Sequence, residues 1–566
     1  MGVITPVCGL VSSKRLRRIA HAVIGVVGAA GISIPGYAFE FDSTSDLKVR
    51  WDNTFKYSAA YRLRDPSNKI AGGDPVVAPL PPFALPGPQL DDGDRNFKKG
   101  VVSNRVDWFS EFDATYKNAG LRVSAAAWYD GVYNHANDNN SAATINTSSV
   151  AAGHFPEATR TLMGRKGEIL DAFVFLKNDP SSETPFNVRA GKHTVVYGES
   201  LFFGANGIAN AQAPIDLIKL LQVPGSQFKE IIRPVPQVST QVQLATNLSL
   251  GAYLQTKFEK NRIPPSGSYL SDVDFVGDGA ETLLPGTPVA MNRVADLKTK
   301  NSGQGGLQVR FKPSNADVEY GLYAAQYHDK GPQIMMNIAG GQFRMVYPED
   351  VRTYGASFST VLGEANVSGE ASIRTNAPLV SAPQVDMGFL GNASTSPLYA
   401  VGKTGHLQVS MINLMGRSAL WDGAVWLAEL AWNRRLSVDR NPAAIDPNVT
   451  RDALAFRTIF EPQYFQVFPG VDMTVPIGLG YNPYGRSSSV FKFNGGVEKG
   501  GDFSIGVTAD FQKKFKAALN YVHYFGPENA FLTSNSVDPT RGLYMQTGAQ
   551  SLRDRDFISI SVQTTF

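Results

Sequence analysis

Cysteine is almost missing from this chain: Cys8 is the only one, and residues 39–566 contain none. A disulfide framework and a cysteine-ligated metal centre are thereby excluded. Long hydrophobic runs are missing too. The longest, Ile19–Ile34, is interrupted by His21 and Ser33 and falls short of the roughly 20 residues a spanning helix needs. An excess of one charge sign is also absent, with 53 Lys and Arg against 50 Asp and Glu. Four of those bases (Lys14, Arg15, Arg17 and Arg18) precede the apolar run, so the remainder is close to neutral and carries no nucleic-acid footprint. What is plentiful is glycine, at 54 residues, and aromatics, at 11%.

The basic cluster, the apolar run and the small residues of Gly36-Tyr37-Ala38 have the layout of a secretory signal peptide, cleaved after Ala38. The alternative, a membrane anchor, needs a longer apolar stretch. Residues 39–566 are then one exported domain.

Residues 46–63 alternate, with Asn53 the one polar residue on the apolar face. Leu47, Val49, Trp51, Phe55, Tyr57, Ala59 and Tyr61 share one face, and Lys48, Arg50, Asp52, Lys56 and Ser58 share the other. Side chains of a strand alternate in this way, so one face is apolar and one polar. Such a strand exceeds the usual 5–6 residues of a soluble sheet and suits a tilted membrane strand. The pattern recurs at Val102–Tyr116, Leu121–Tyr129, Val238–Leu254, Tyr354–Leu362 and Ala424–Trp432. Short turns near 117–120, 178–185, 245–247, 312–316, 363–366, 469–471 and 512–516 alternate with long polar loops. The loops fall near 64–100, 134–166, 260–302, 376–398, 436–451, 483–499 and 526–553, the first containing the Pro-rich tract 76–88. Long on one side and short on the other is the asymmetry of outer-membrane barrels. The fold expected is all-β, a transmembrane antiparallel barrel of about 16–18 strands with long extracellular loops. The chain ends on a strand that places Ile558, Ile560, Val562 and Phe566 on one face. A barrel has no free edge, so this strand must close against the first. It also resembles the C-terminal signal read by the barrel-assembly machinery. Outer-membrane lipid and lipopolysaccharide are the other expected neighbours.

Residues 191–235 do not alternate. Pro214 is positioned to open a short helix bearing Ile215, Leu217, Ile218, Leu220 and Leu221, and Pro224-Gly225 ends it. An apolar helix on the loop side must fold into the lumen as a plug or pack over it as a lid. Within this segment, Gly191-Lys192-His193 and Tyr197-Gly198-Glu199-Ser200 resemble the G-R-Q and W-G-E-S motifs of a proteobacterial outer-membrane family known only as DUF1302. Pro214-Ile215-Asp216-Leu217, Pro234-Val235, Trp51-Asp52-Asn53-Thr54 and Pro469-Gly470-Val471-Asp472 match further landmarks in order. Lys192-His193 and Tyr197 depart from the family's Arg-Gln and Trp. The resemblance implies a barrel handling hydrophobic compounds, with a periplasmic lipid-handling protein and an inner-membrane exporter as partners.

The gating candidates are therefore Lys192, His193, Tyr197, Glu199, Phe202, Phe203, Asp216, Leu217, Leu220 and Leu221. The lumen charges expected from alternation are Lys48, Arg50, Arg105, Asp107, Glu111, Glu370, Arg374 and Glu429, with both signs mixed. Glu199 is positioned either to orient a substrate or to fix the plug to a wall arginine. No metalloprotease, nucleophile-elbow or P-loop pattern occurs, and no cofactor or metal is expected. Asp91-Asp92-Gly93-Asp94 and Asn137-Asp138-Asn139-Asn140 do not fit an EF-hand. An outer-membrane lipase would need a paired serine and histidine, for which Ser200 and His193 are the local option. The leading expectation is a non-enzymatic channel for a hydrophobic or amphipathic molecule such as a lipid, steroid or hydrocarbon. The alternatives are a porin for polar solutes and a non-transporting structural barrel.

Overall fold

Every backbone polar group inside a lipid layer must be satisfied internally, which for strands means closure. The computed structural model describes residues 39–42, 46–71, 91–140, 145–179, 181–223, 227–283, 290–537 and 544–566. The expected leader and the Pro-rich tract lie outside those residues. Eighteen antiparallel strands form one closed barrel. They are β1 (Leu47–Arg62), β2 (Gly100–Tyr116), β3 (Ala119–Asp130), β4 (Arg165–Lys177), β5 (Phe186–His193) and β6 (Val235–Ala245). Next come β7 (Leu248–Gln255), β8 (Gln304–Phe311), β9 (Val318–Tyr327), β10 (Val351–Leu362), β11 (Ala365–Pro378) and β12 (Val401–Met415). The last are β13 (Gly423–Arg440), β14 (Asp452–Phe468), β15 (Val471–Thr474 and Ile477–Tyr484), β16 (Gly501–Phe511), β17 (Phe515–Phe525) and β18 (Phe557–Thr565).

Closure is between β1 and β18, in register from Thr54 opposite Thr565 to Arg62 opposite Phe557. Phe566 continues the seam: it exchanges backbone hydrogen bonds with Asn53 and stacks its ring on Phe55 at 5.8 Å. Just below, the short strand Phe39–Asp42 pairs with β1 and extends the wall. The alternation holds inside out. Leu307 and Leu322 are each 62% exposed towards lipid, whereas Gln308, Ser357, Gln408 and Glu429 are buried on the lumen side. A wall of this kind fits an outer membrane.

The short connections expected from sequence are present, together with one more at 416–422, and the long side gains a loop at 328–350. The two-residue turn after β10 uses Gly363 at φ +64°, a left-handed conformation that costs glycine little. On the long side the loops build a cap. Segments of three of them pair as a small sheet (Thr282–Leu283, Met291–Arg293, Gln333–Asn337, Gln342–Val346 and Gln384–Val385) over a core of Phe275, Met291, Phe343 and Met345. A second cap core joins Phe97, Tyr133, Phe155 and Tyr269 to the outer ends of β1, β2, β17 and β18. Charge sits inside this cap. Fully buried Arg62 donates to Asp94 and to the Phe97 carbonyl (2.6 Å); fully buried Arg555 pairs with Asp91 and donates to the Tyr269 carbonyl (2.8 Å). Asp91-Asp92-Gly93-Asp94 thus serves as a structural turn, in which Asp91 caps the short helix Asp92–Arg95.

Candidate functional site in the barrel lumen

Residues 194–234, between β5 and β6, do not stay with the cap. Residues 194–212 descend inside the barrel as a peg, and the wall residues that hold them are the inward-facing ones of β7–β14. Glu370 of β11 accepts from the Glu199 amide (2.6 Å), the Ile208 amide (2.9 Å) and the Ser200 hydroxyl (3.1 Å). Glu429 of β13 accepts from the amides of Leu201, Phe202 and Phe203 at 3.2, 2.5 and 2.8 Å. Arg374 donates to the carbonyls of Ala205, Asn206 and Gly207 at 3.0, 2.9 and 2.8 Å. A loop has no ladder to satisfy its backbone, and buried unpaired amides are costly. Three charged wall residues take that place.

The Tyr-Gly-Glu-Ser motif is the tip of this peg, and each residue has a task. Tyr197 packs edge-on against Tyr253 at 5.4 Å and lies beside Tyr323. Gly198, at φ +90°, leaves the space that Glu370 occupies, since a Cβ there would collide with the carboxylate. Gly207 is cleared in the same way on the opposite side. Glu199 bonds Arg310 at 2.9 Å, and Arg310 also pairs with Glu319. Arg310 is one residue from the end of β8, so the tip reaches the inner-turn end of the barrel. Leu201 and Phe202 pack on Leu427 and Ile459, while Phe203 packs on Ala431 and Phe493. Asn206 is enclosed by Gln408, His406 and Asn433 at 3.0–3.1 Å.

From Pro214 onwards the insertion turns back up as a flap. Its two ends are clasped: Ile215 bridges Ile232, and the Asp216 amide donates to the Ile231 carbonyl at 2.7 Å. The helix runs Leu217–Gln222, not from Pro214 as expected. Asp216 is the reason: its carboxylate caps the Ile218 and Lys219 amides, and its own backbone is extended. Asp216 also pairs with Arg262 at 2.9 Å. Leu217 and Leu220 face the second flap helix, Phe228–Ile231, and the peg; Ile218 and Leu221 pack on the second cap core. Beneath the cap this leaves a small, mostly apolar chamber of about 40 Å³ bounded by Ala60, Val102, Ile218, Tyr269 and Phe557, with Ser103, Gln222 and Ser268 as its polar lining.

Peg and flap account for most of the gating residues expected from sequence. Two do not belong with them. Lys192 shares the lipid-facing side of the wall with Val174, Leu176 and Val238, because the period of two runs to the end of β5. Its ammonium donates to the Ile169 carbonyl, a snorkelling cation rather than a lumen group. His193 does face inward, but it bonds Ser239 at 2.7 Å. Ser200 is held by Glu370 and Gln408, so the serine–histidine pair is not assembled.

The other half of the lumen, along β1–β4 and β16–β18, is free of the peg and charged. Arg50 pairs with Asp52 at 2.6 Å, Arg105 with Asp107 at 2.6 Å, and Arg122 with Glu111 and Asp113; Lys48 is exposed near the inner rim. Among the described residues no group of three His, Cys, Asp or Glu is placed to hold a metal.

The fold is similar to that of solved barrels at low identity. OccAB4 of Acinetobacter baumannii is 11% identical over 93% of this chain and 99% of its own, with a TM-score of 0.40. OpdK of Pseudomonas aeruginosa is 10% identical over 92% and 98%, at 0.39, and the channel DcaP of Acinetobacter baumannii 9% identical over 94% and 100%, at 0.36. The closed strand pairing defines the barrel in its own right. No curated protein matches the chain in sequence. One family description does match, along residues 19–566, and it covers the opening strand, the peg and the closing strand alike. The chain belongs to the family described as protein of unknown function DUF1302.

Proposed function

We propose that the protein is a gated outer-membrane channel for a hydrophobic or amphipathic small molecule, with the two flap helices, Leu217–Gln222 and Phe228–Ile231, as the gate. The apolar chamber under the flap carries this reading. Lumen walls of open pores are polar, yet here Ala60, Val102 and Phe557 line the inward face of three strands at the closure seam. Ligand sites are typically such apolar concavities with a few placed polar groups. The division of the insertion supports the gate. The peg is fixed by charge-assisted hydrogen bonds along its length, whereas beyond the Asp216–Arg262 clasp the flap helices are tied to their surroundings by neutral hydrogen bonds and apolar contacts. The Leu217 amide donates to the Arg262 carbonyl and the Phe228 amide to the Leu201 carbonyl, both at 2.8 Å, and the Tyr524 hydroxyl to the Leu221 carbonyl at 3.2 Å. A periplasmic lipid-handling partner, implied by the family resemblance, fits a cargo that water does not carry.

The charged half of the lumen favours a second reading, a porin for polar solutes. One experiment separates the two. Ile215 and Ile232 are bridged, so residues 217–231 can be excised and the ends rejoined through two glycines. The excised barrel is expected to conduct in planar bilayers where the parent is closed, and to speed release of a labelled steroid from loaded vesicles. Conductance to small ions with no steroid passage favours the porin. A barrel that folds yet conducts no better than the parent refutes the gate.

A further inference from the structure

A membrane barrel covers every strand edge, and one edge of this wall is left uncovered. β4 runs from Arg165 to Lys177, but β5 pairs only with Ala172–Lys177. Among the described residues no other strand or loop bonds the backbone of Lys166–Asp171 on that side. Pairing stops at a bulge, where Leu170 and Asp171 together face Ser124 of β3. The Ser124 hydroxyl accepts from the Asp171 amide and donates to its carboxylate, both at 3.0 Å. The extra residue keeps Ile169 on the lipid side with Val174 and Leu176, all three exposed. Past the bulge the Ile169 carbonyl has no strand to meet, and the Lys192 ammonium donates to it instead. Tyr129, opposite Arg165, is 52% exposed, so the free edge climbs from the hydrocarbon to the outer aromatic girdle. An open edge at that depth is tolerated only where it borders protein or a polar cavity. The lumen therefore comes up to the wall above β5.

On the lumen side an ion-pair cluster stands behind this edge. Glu168 of β4 pairs with Arg262 and lies 3.9 Å from Lys166, and Arg262 pairs with Asp216 at 2.9 Å. Arg262 is also bonded to the flap base through its backbone. Its amide donates to the Ile215 carbonyl at 2.9 Å, and its carbonyl accepts from the Leu217 amide at 2.8 Å. The Arg262–Glu168 pair thus ties the flap to the free edge. The same three elements line the chamber, through Met163 just before β4, Pro264 beside Arg262 and Ile218 beside Asp216. We infer that the barrel opens sideways: an apolar molecule passes between the chamber and the outer leaflet through the gap above β5, which the Glu168–Arg262–Asp216 cluster shuts. This route rests on the channel reading and adds where the cargo meets the membrane and what couples that exit to the gate. Lifting the flap base draws Asp216 and Arg262 away from Glu168, so one movement uncovers both chamber and gap. A molecule taking this path need not cross the charged half of the lumen.

The test places the full barrel in lipid nanodiscs containing a diazirine-bearing steroid, irradiates them and maps the labelled residues by mass spectrometry. In the parent, labels are expected on the outer-face residues Val174 and Leu176 and hardly at all on Trp128 and Ile218. Trp128 faces the lumen beside Arg105, and Ile218 lines the chamber. Arg262→Met, which breaks both ion pairs, is expected to raise labelling of Trp128 and Ile218 several-fold. Gly167 stands on the free edge with open space where a Cβ would lie, so a large side chain fits there. Adding Gly167→Trp is expected to return the two lumen labels to the parent's level and to leave those on Val174 and Leu176. If Arg262→Met does not insert, Glu168→Gln loosens the same tie from the wall and carries the same expectation. Lumen labels that do not rise, or that rise and are indifferent to Gly167→Trp, overturn the side exit. The channel reading falls separately, on a folded flap-excised barrel that conducts no better than the parent, whatever the labels show.

Discussion

Replacing Glu429 with alanine tests the peg directly. The side chain is 1% exposed and holds three consecutive amides, those of Leu201, Phe202 and Phe203. A hydrogen bond to a charged acceptor contributes roughly 1.5–3 kcal/mol, and such terms do not add fully within one group. Losing all three should weaken docking of this stretch by roughly 3–6 kcal/mol. Moving a two-state element from 1:99 to 99:1 takes about 5.5 kcal/mol. Glu429→Ala alone should therefore make the peg flicker, since Glu370 still grips Glu199 and Ile208 and the apolar contacts on Leu427 and Ile459 persist. Adding Glu370→Ala should leave it open for most of the time. Glu429→Gln, which keeps one acceptor oxygen, should fall between parent and alanine. The assay is single-channel recording in planar bilayers, read as the open fraction, with heat-induced unfolding as the control that the wall is intact. A correctly folded double variant as closed as the parent, with amide exchange at 199–208 equally slow, would refute the account of what holds the peg.

The cap yields two further predictions. Arg555→Met strips Asp91 and the Tyr269 and Ser271 carbonyls of their buried partner. Removing one member of such a pair costs about 3–5 kcal/mol, so protease cleavage at 91–97 and 267–272 should appear while heat-induced unfolding of the wall is nearly unchanged; uncut loops would contradict it. The cap should also tighten in acid. Burial, before any other cause, pushes Asp274 and Asp554 up to about 6 and holds Asp91 and Asp92 well above the usual carboxylate range. A carboxyl whose folded value is raised takes up protons on folding, so its stabilising contribution is full below about 3.9 and is lost as pH rises through about 6. Amide exchange of 91–97 and 267–274, corrected for its intrinsic pH dependence, should be slower at pH 5.5 than at pH 7.5; the reverse order would count against the assignment.

The wall is readable from the chain because lipid imposes one rule on every strand: an alternation such as Leu47 to Tyr61 also occurs in soluble sandwiches, but its recurrence between short turns and long loops does not. The C-terminal strand is readable for the same reason. The peg is only partly readable. Its departure from alternation and its apolar helix are visible, yet Glu370 and Glu429 look like ordinary lumen charges. Their partners are backbone amides some 160–230 positions earlier, and an amide has no sequence signature. His406 and Asn206 are hidden similarly, because each is one small polar residue among many. The one available hint is glycine: Gly198 and Gly207 stand where a buried carboxylate needs room. Lys192 misleads because it sits in a recognisable motif, while parity along a strand, not membership of a motif, decides which side a residue faces. Arg62 and Arg555 cannot be foreseen, since loops from four parts of the chain meet around them.

The two parts of the insertion divide the work by the kind of force that holds them. An 18-stranded barrel leaves an aqueous lumen unless something fills it. The peg fills half, and its bonds are directional and charge-assisted, so it resists displacement by anything that does not supply equivalent donors and acceptors. On the channel reading the flap covers the rest, held by the Leu217 and Phe228 amide bonds and by Ile218 and Leu221, both only partly buried. Full burial of such a side chain contributes about 1.5–3 kcal/mol, so their partial burial is a modest hold. A ligand shifts an equilibrium only by its difference in affinity for the two states. On the channel reading, a hydrocarbon chain that took the place of Ile218 in the chamber would make the contacts the flap gives up and so offset the cost of lifting it. A polar solute in the charged half offers no such exchange on that reading and is expected to leave the flap in place.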